Sequence, residues 1–147
     1  MSTNEQIARE NFRNGYNCAQ SVFLTYADKF GFNKETALKL SSSFGGGMGR
    51  MREVCGAVSA MFMVAGLQKG YAENNNDEIK AKHYARIQDL AKEFKKTHGT
   101  IICRELLGVD ADDNPIPSKR TDKYYAERPC EEFIATACKI LDKYIME

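Results

Sequence analysis

Residues 44–67 read FGGGMGRMREVCGAVSAMFMVAGL. A glycine cluster runs here into the longest apolar segment of the chain, with Cys55 at the junction. From Val54 to Leu67 no residue is charged. A helix over this run is apolar on nearly every side, and such a helix is buried with amphipathic helices wrapped around it. Gly56, Ala57 and Ala60 are small enough to let neighbouring backbones approach Cys55 closely. The uncharged run falls short of the roughly 20 residues that cross a bilayer, so the expectation is a core helix and no membrane span. Arg50, Arg52 and Glu53 mark its start, which predicts a central helix over about 50–69.

Working outward, the flanking segments also read as helices. Ser2-x-x-Glu5 has the form of a capping box for a first helix that stops near Gly15. Asn17 is placed to cap a second over residues 18–30, where Ala19, Val22, Phe23, Tyr26 and Phe30 keep helical spacing up to Gly31. Asn33 is placed to cap a short third helix to about Leu40, and the central helix then closes at Gly70. Asn75 and Asn76 precede a long helix whose stripe is Ile79, Ile87, Leu90, Ala91 and Phe94, ended by Gly99. The segment IICRELL forms a brief turn, residues 109–120 a proline-bearing loop, and Pro129 suits the first position of a final helix. On that helix Phe133, Ile134, Ala137, Leu141, Tyr144 and Ile145 face inward. No alternating strand pattern, repeat or domain boundary interrupts this. The predicted fold is all-α, a compact bundle of about five to seven helices in one domain over residues 1–147.

Composition narrows the function classes. The chain has 43% hydrophobic and 28% charged residues and a formal net charge of +1, so bulk charge implies no nucleic acid or other polyanion. In the run KEFKK no aromatic residues alternate with the basic ones, as they do in grooves that track a nucleic-acid strand. The segment MSTNEQIARENF lacks a basic region followed by an apolar core, so the expected location is the cytoplasm, where thiols are kept reduced. No Ser-His-Asp or paired-carboxylate arrangement points to a hydrolase.

The five cysteines are Cys18, Cys55, Cys103, Cys130 and Cys138, and no two make a C-x-x-C pair. Four share a positional regularity. Cys18 reads as the first residue of its helix, Cys103 as the third of its turn and Cys130 as the second of its helix, while Cys55 follows the glycine cluster. Unpaired N–H groups at a helix start stabilise a thiolate, the form that attacks disulfides and binds soft metals. Core packing is the competing account, because free cysteine behaves as a small hydrophobe. Cys138, one turn after Ile134 on the inward stripe, is assigned to packing.

The runs NGYNCAQSV, FGGGMGR, EVCGAVSA, IICRELLG and RPCEEF, taken in order over nearly the whole chain, resemble the small bacterial and archaeal family named for its C_GCAxxG_C_C pattern. The resemblance implies a redox-active protein with four characteristic cysteines, often encoded near transporters. Those four are Cys18, Cys55, Cys103 and Cys130 here, with Cys138 as an extra. The CGAxxG element is Cys55-Gly56-Ala57-Val58-Ser59-Ala60, in which Ala60 stands where the family has glycine.

Three functions remain open at this stage. The first is a thiol redox protein, an oxidoreductase in which two or more of the four cysteines cycle between dithiol and disulfide with a redox partner or thiol substrate. Cys18 and Cys55 rank first as attackers. The second is a zinc or iron–sulfur site with the same four cysteines as ligands. The third is a non-enzymatic helical module working with a transporter, and the central apolar segment would equally serve a homodimer interface.

Three further features have competing readings. Gly46, Gly47 and Gly49 precede a helix, where amides can cradle an anion or cofactor, but the cluster lacks a GK[ST] ending and a preceding strand, so a close-packed turn is favoured. His83 reads as a hydrogen-bonded core histidine and His98 as a charge at a helix end, each ahead of a ligand role. The redox reading needs the four sulfur atoms to meet at one spot beside the central helix.

Overall fold

The computed structural model describes residues 2–111 and 114–145. The elements run α1 (Asn4–Arg13), α2 (Cys18–Ala27) with a 3-10 turn at Asp28–Phe30, α3 (Lys34–Ser42), α4 (Gly45–Met48), α5 (Gly56–Lys69), α6 (Asp77–His98), α7 (Cys103–Leu107), α8 (Asp122–Glu127) and α9 (Cys130–Tyr144). The fold is all-α. Among the described residues the only sheet-like pairing is an isolated antiparallel bridge between Val54 and Ile102.

Local chemistry sets most boundaries. Asn17 and Gln20 form a reciprocal capping box that opens α2 at Cys18, and Gly31 ends the following turn in the left-handed conformation. Asn33 and Asn76 cap α3 and α6 through their side-chain oxygens. At α1 the box is Thr3 with Gln6, and not Ser2 with Glu5, because Thr3 Oγ1 accepts from the Gln6 amide and the helix begins one residue later than predicted. Helix α8 was not foreseen. Thr121 caps it, accepting from the Tyr124 amide, but its six residues are too few to show a period. The predicted loop partly coincides with residues 112–113, which lie outside the described residues.

The central helix starts later than the charge pattern suggested. It begins at Gly56, with Cys55 as its cap residue. Residues 52–55 are drawn away from helical pairing by the segment before α7. The Cys103 amide donates to Glu53 O at 2.6 Å, the Arg104 amide to Arg52 O at 3.2 Å and the Cys55 amide to Ile101 O at 2.8 Å. Those pairings consume the groups a helix would have used.

From Gly56 to Met61 every residue of α5 is buried, as are Val64 and Ala65. It packs against α2, α6 and α9, with Phe12, Phe23, Tyr26, Phe94 and Ile134 fully buried around it. The stripe of α6 is narrower than predicted. Leu90 and Phe94 are buried and Ile87 is partly so, whereas Ile79 is 39% exposed because the first turns of α6 extend past the core. On α9 all the predicted inward residues are buried except Tyr144, which is 43% exposed in the last turn. Arg9 and Arg13 on α1 reach Glu131 at 2.8 and 2.6 Å, and Arg9 reaches Glu132 at 3.1 Å, tying α1 to the start of α9. No helix among the described residues is long and apolar enough to cross a membrane.

The start of α5 leaves no room for a side chain. A Cβ on Gly56 would lie 2.8 Å from Phe44 O, 3.0 Å from the Ala19 nitrogen and 3.3 Å from Cys18 Cβ. Gly56→Ala is therefore expected to destabilise the protein by about 1–3 kcal/mol through overpacking. Gly66→Ala, where a Cβ meets nothing within 4 Å, should instead stabilise by about 0.5–1 kcal/mol. Urea unfolding of both variants checks the contrast, and equal effects would refute the close approach.

Candidate functional site

Three cysteines are the first residues of their helices: Cys18 in α2, Cys103 in α7 and Cys130 in α9. Cys55 is the cap of α5. Cys103 and Cys130 thus sit nearer their helix starts than the sequence reading placed them. All four line one cavity of about 60 Å³, more than the roughly 10–15 Å³ that a single water requires. Cys138 stands apart, fully buried on α9 beside Tyr26, where burial pushes its thiol up to about 12. All five thiols are free.

The glycine cluster builds one wall of this cavity. Backbone φ is 66° at Gly46, 73° at Gly47, 63° at Met48, 64° at Gly49, 64° at Arg50 and 60° at Arg52. This left-handed stretch costs roughly 1–2 kcal/mol at each non-glycine residue. It turns the chain back on itself, so that Arg52 N donates to Gly46 O and Glu53 N to Gly47 O. Space as well as conformation demands glycine at Gly47, since a Cβ there would lie 2.6 Å from Cys103 Cβ and 2.9 Å from Arg52 Cα. A Cβ on Gly45 would collide with the Asn17 side chain that caps α2. Amides of Met48, Gly49 and Arg50 donate to backbone carbonyls. The cluster is a close-packed turn, and Gly46 and Gly47 line the thiol cavity.

The thiols do not share one electrostatic environment. Cys18, which lines the same cavity, holds the Cys130 thiol down to about 7 against the opposing effect of burial. Arg128, Arg120 and Arg52 lower it further by their charge. Cys18 is in turn pushed well up, by its interaction with Cys130 first and by burial second. Burial raises Cys55 to about 12 although the amides of Val58 and Ala57 donate to it. Burial also raises Cys103, opposed by Arg52, whose Nη1 donates to Cys103 Sγ at 3.7 Å. These electrostatics favour Cys130 as the thiolate, where the sequence reading ranked Cys18 and Cys55 first.

The arginines are held in place by the fold. Arg52 is 6% exposed. Arg120 donates to Phe12 O and Tyr16 O, both at 3.1 Å, and its guanidinium carbon lies 4.5 Å from the Phe12 ring centroid and 5.0 Å from that of Tyr124. Arg128 stacks over Tyr124 at 5.3 Å. Two of these arginines adjoin cysteines in sequence, but Arg120 sits in the loop before α8 and carried no such signal. Arg104, which follows Cys103, turns instead to Glu53 at 3.2 Å. Glu131 and Glu132, which follow Cys130, are tied to Arg13 and Arg9, so their charge is met on the side of α1.

Both histidines lie elsewhere. His83 Nδ1 accepts from Arg86 Nη1 at 2.9 Å. His98 shares a 2.8 Å hydrogen bond with Thr136 and packs between Phe94 and Phe133, where burial lowers its pKa. Lys92, Lys95 and Lys96 of the KEFKK run are exposed, as a solvated face should be. Among the described residues no three His, Cys, Asp or Glu side chains are arranged to hold a metal ion.

A family model described as "Putative redox-active protein (C_GCAxxG_C_C)" matches residues 16–144. No curated protein and no solved structure matches the chain.

Because the thiolate is the reacting form, alkylation should speed up as pH rises through each thiol's pKa. Iodoacetamide labelling followed by peptide mapping is expected to show Cys130 reacting with a midpoint near 7. Cys18 should react only above the ordinary thiol range. Arg128→Gln should move the Cys130 midpoint upward, and an unmoved midpoint would remove the arginine from this account.

Proposed function

We propose, for a chain that belongs to the C_GCAxxG_C_C family, a thiol–disulfide redox function in which Cys130 attacks and Cys18 resolves. The observation that carries the reading is the convergence of Cys18 and Cys130, each the first residue of its helix, on one cavity that Arg52, Arg120 and Arg128 also line. A thiolate with a pKa near ambient pH combines a useful ionised fraction with retained nucleophilicity. A lone thiolate cannot release a mixed disulfide, and an adjacent thiol removes that difficulty.

Cys130 thiolate attacks one sulfur of a substrate disulfide RS–SR′, forming Cys130–S–S–R and expelling R′S⁻. Cys18 gives up its proton to solvent or to the departing thiolate and attacks Cys130 Sγ. RS⁻ leaves, and two electrons have passed from the pair to the substrate. A dithiol reductant returns the pair to its starting state by the reverse exchange. Cys55 and Cys103 line the same cavity in protonated form, beside the pair and without its lowered pKa. The reading suits a reducing cytoplasm, where the resting form is the dithiol.

Mild oxidation of the reduced protein is expected to remove two hydrogens, with the new bond mapped by mass spectrometry to Cys18 and Cys130. Cys130→Ser should abolish it, and Cys138→Ser should leave it intact. Oxidation that never joins these two residues would overturn the pairing. About one zinc ion or an iron–sulfur chromophore per chain in anaerobically purified protein would replace the redox reading with a ligand role.

A further inference from the structure

The thiol cavity is adjoined by a larger cleft of about 270 Å³, and both are lined by Arg52, Arg120 and Arg128, with Arg50 added at the cleft. No aspartate or glutamate among the described residues lines either space. Among the described residues none of these four arginines has an ion-pair partner, whereas Arg9, Arg13 and Arg104 all do. Arg50 donates to Asn114 O at 2.6 Å and to Ser118 Oγ at 3.4 Å, Arg120 is held by two carbonyls, and Arg128 rests on a ring. A chain with net charge +1 has thus gathered four cations at one opening, with no carboxylate against them among the described residues. Charge arranged this way, in a cleft with low-dielectric walls, concentrates anions. Guanidinium groups recognise carboxylates by paired hydrogen bonds.

We infer that the cleft is the substrate site of the Cys18–Cys130 pair and selects a small disulfide bearing carboxylate groups. The inference rests on the redox reading above and adds the substrate class. The volume is close to the lower end of the roughly 300–1,000 Å³ typical of small-molecule sites. Because Arg52, Arg120 and Arg128 line both spaces, a carboxylate held at the cleft would set the rest of the same short chain toward the cavity that Cys130 lines. The arginines then serve twice, because those nearest Cys130 also keep it ionised. The carboxylates take no part in the electron balance. Cys130 forms the mixed disulfide with one half of the substrate, the other half leaves as a carboxylate-bearing thiolate, and Cys18 releases the first half.

Three aliphatic disulfides of similar size but different charge test this on the intact reduced protein: dithiodipropionate, bis(hydroxyethyl) disulfide and cystamine. Rates of Cys130 oxidation, each divided by the rate with a free small thiol, are expected to favour the dianion over the neutral compound by about tenfold or more. Cystamine should be slowest, and the preference should shrink as salt is raised. In Arg50→Gln and Arg128→Gln the dianion-to-neutral ratio should fall several-fold, and Arg128→Lys should keep part of it. Taking the ratio removes any change in the reactivity of Cys130 itself. Calorimetry with the non-reducible thioether thiodipropionate supplies a readout that needs no redox chemistry, and binding is expected in wild type and weakened in Arg50→Gln. Charge-indifferent rates, or no binding of thiodipropionate, would overturn the anion site and leave the redox pair standing. Thiols inert to all three disulfides would strike the redox reading, while the thioether still decides whether the cleft takes a carboxylate.

Discussion

Everything near the site depends on how closely the start of α5 can approach the start of α2. Gly56 makes that approach possible, because its missing side chain is the space in which Phe44 O, the Ala19 nitrogen and Cys18 Cβ sit. Close backbone contact at this point brings the cap of α5 and the first residue of α2 together, and with them Cys55 and Cys18. The uncharged run behind Gly56 supplies the reason for the helix to be central at all, since only a buried position hides an apolar surface on every side.

Two opposed physical effects then act on the same four sulfur atoms. Removal from water favours the neutral thiol, and at Cys55 and Cys103 it prevails. At Cys130 the neighbouring Cys18 and three guanidinium groups outweigh it. The difference comes less from depth, since Cys55, Cys103 and Cys130 are all buried, than from which neighbours face each atom. The strain in the left-handed turn belongs to the same arrangement. Arg50 and Arg52 take unfavourable backbone angles, and both end up lining the cleft that adjoins the thiols.

Much of this was legible in the sequence, for definite reasons. Asparagine and glycine at helix ends act through bonds only a few residues long, so the caps at Asn17, Asn33 and Asn76 and the stops at Gly31, Gly70 and Gly99 could be placed from spacing alone. The four cysteines could be singled out by their positions and by the resemblance of their surroundings to a known pattern. The start of α5 could not. Its true beginning is decided by backbone bonds from residues 52–55 to residues 101–104, and no local pattern records a partner some fifty positions away. Arg120 was invisible for a similar reason, because its value comes from carbonyls of Phe12 and Tyr16 at the opposite end of the chain. The lowering of the Cys130 pKa was also hidden, since its causes, Cys18 and three arginines, come from distant parts of the chain.

The meeting of Cys18 and Cys130 at one cavity has a topological consequence. Joining Cys18 to Cys130 would turn about 110 residues into a covalent ring, and closure of a ring near that size removes about 4.7 kcal/mol worth of freedom from the unfolded chain. Electron transfer and resistance to unfolding would then be two readings of one event, and the melting temperature of this protein would report its oxidation state.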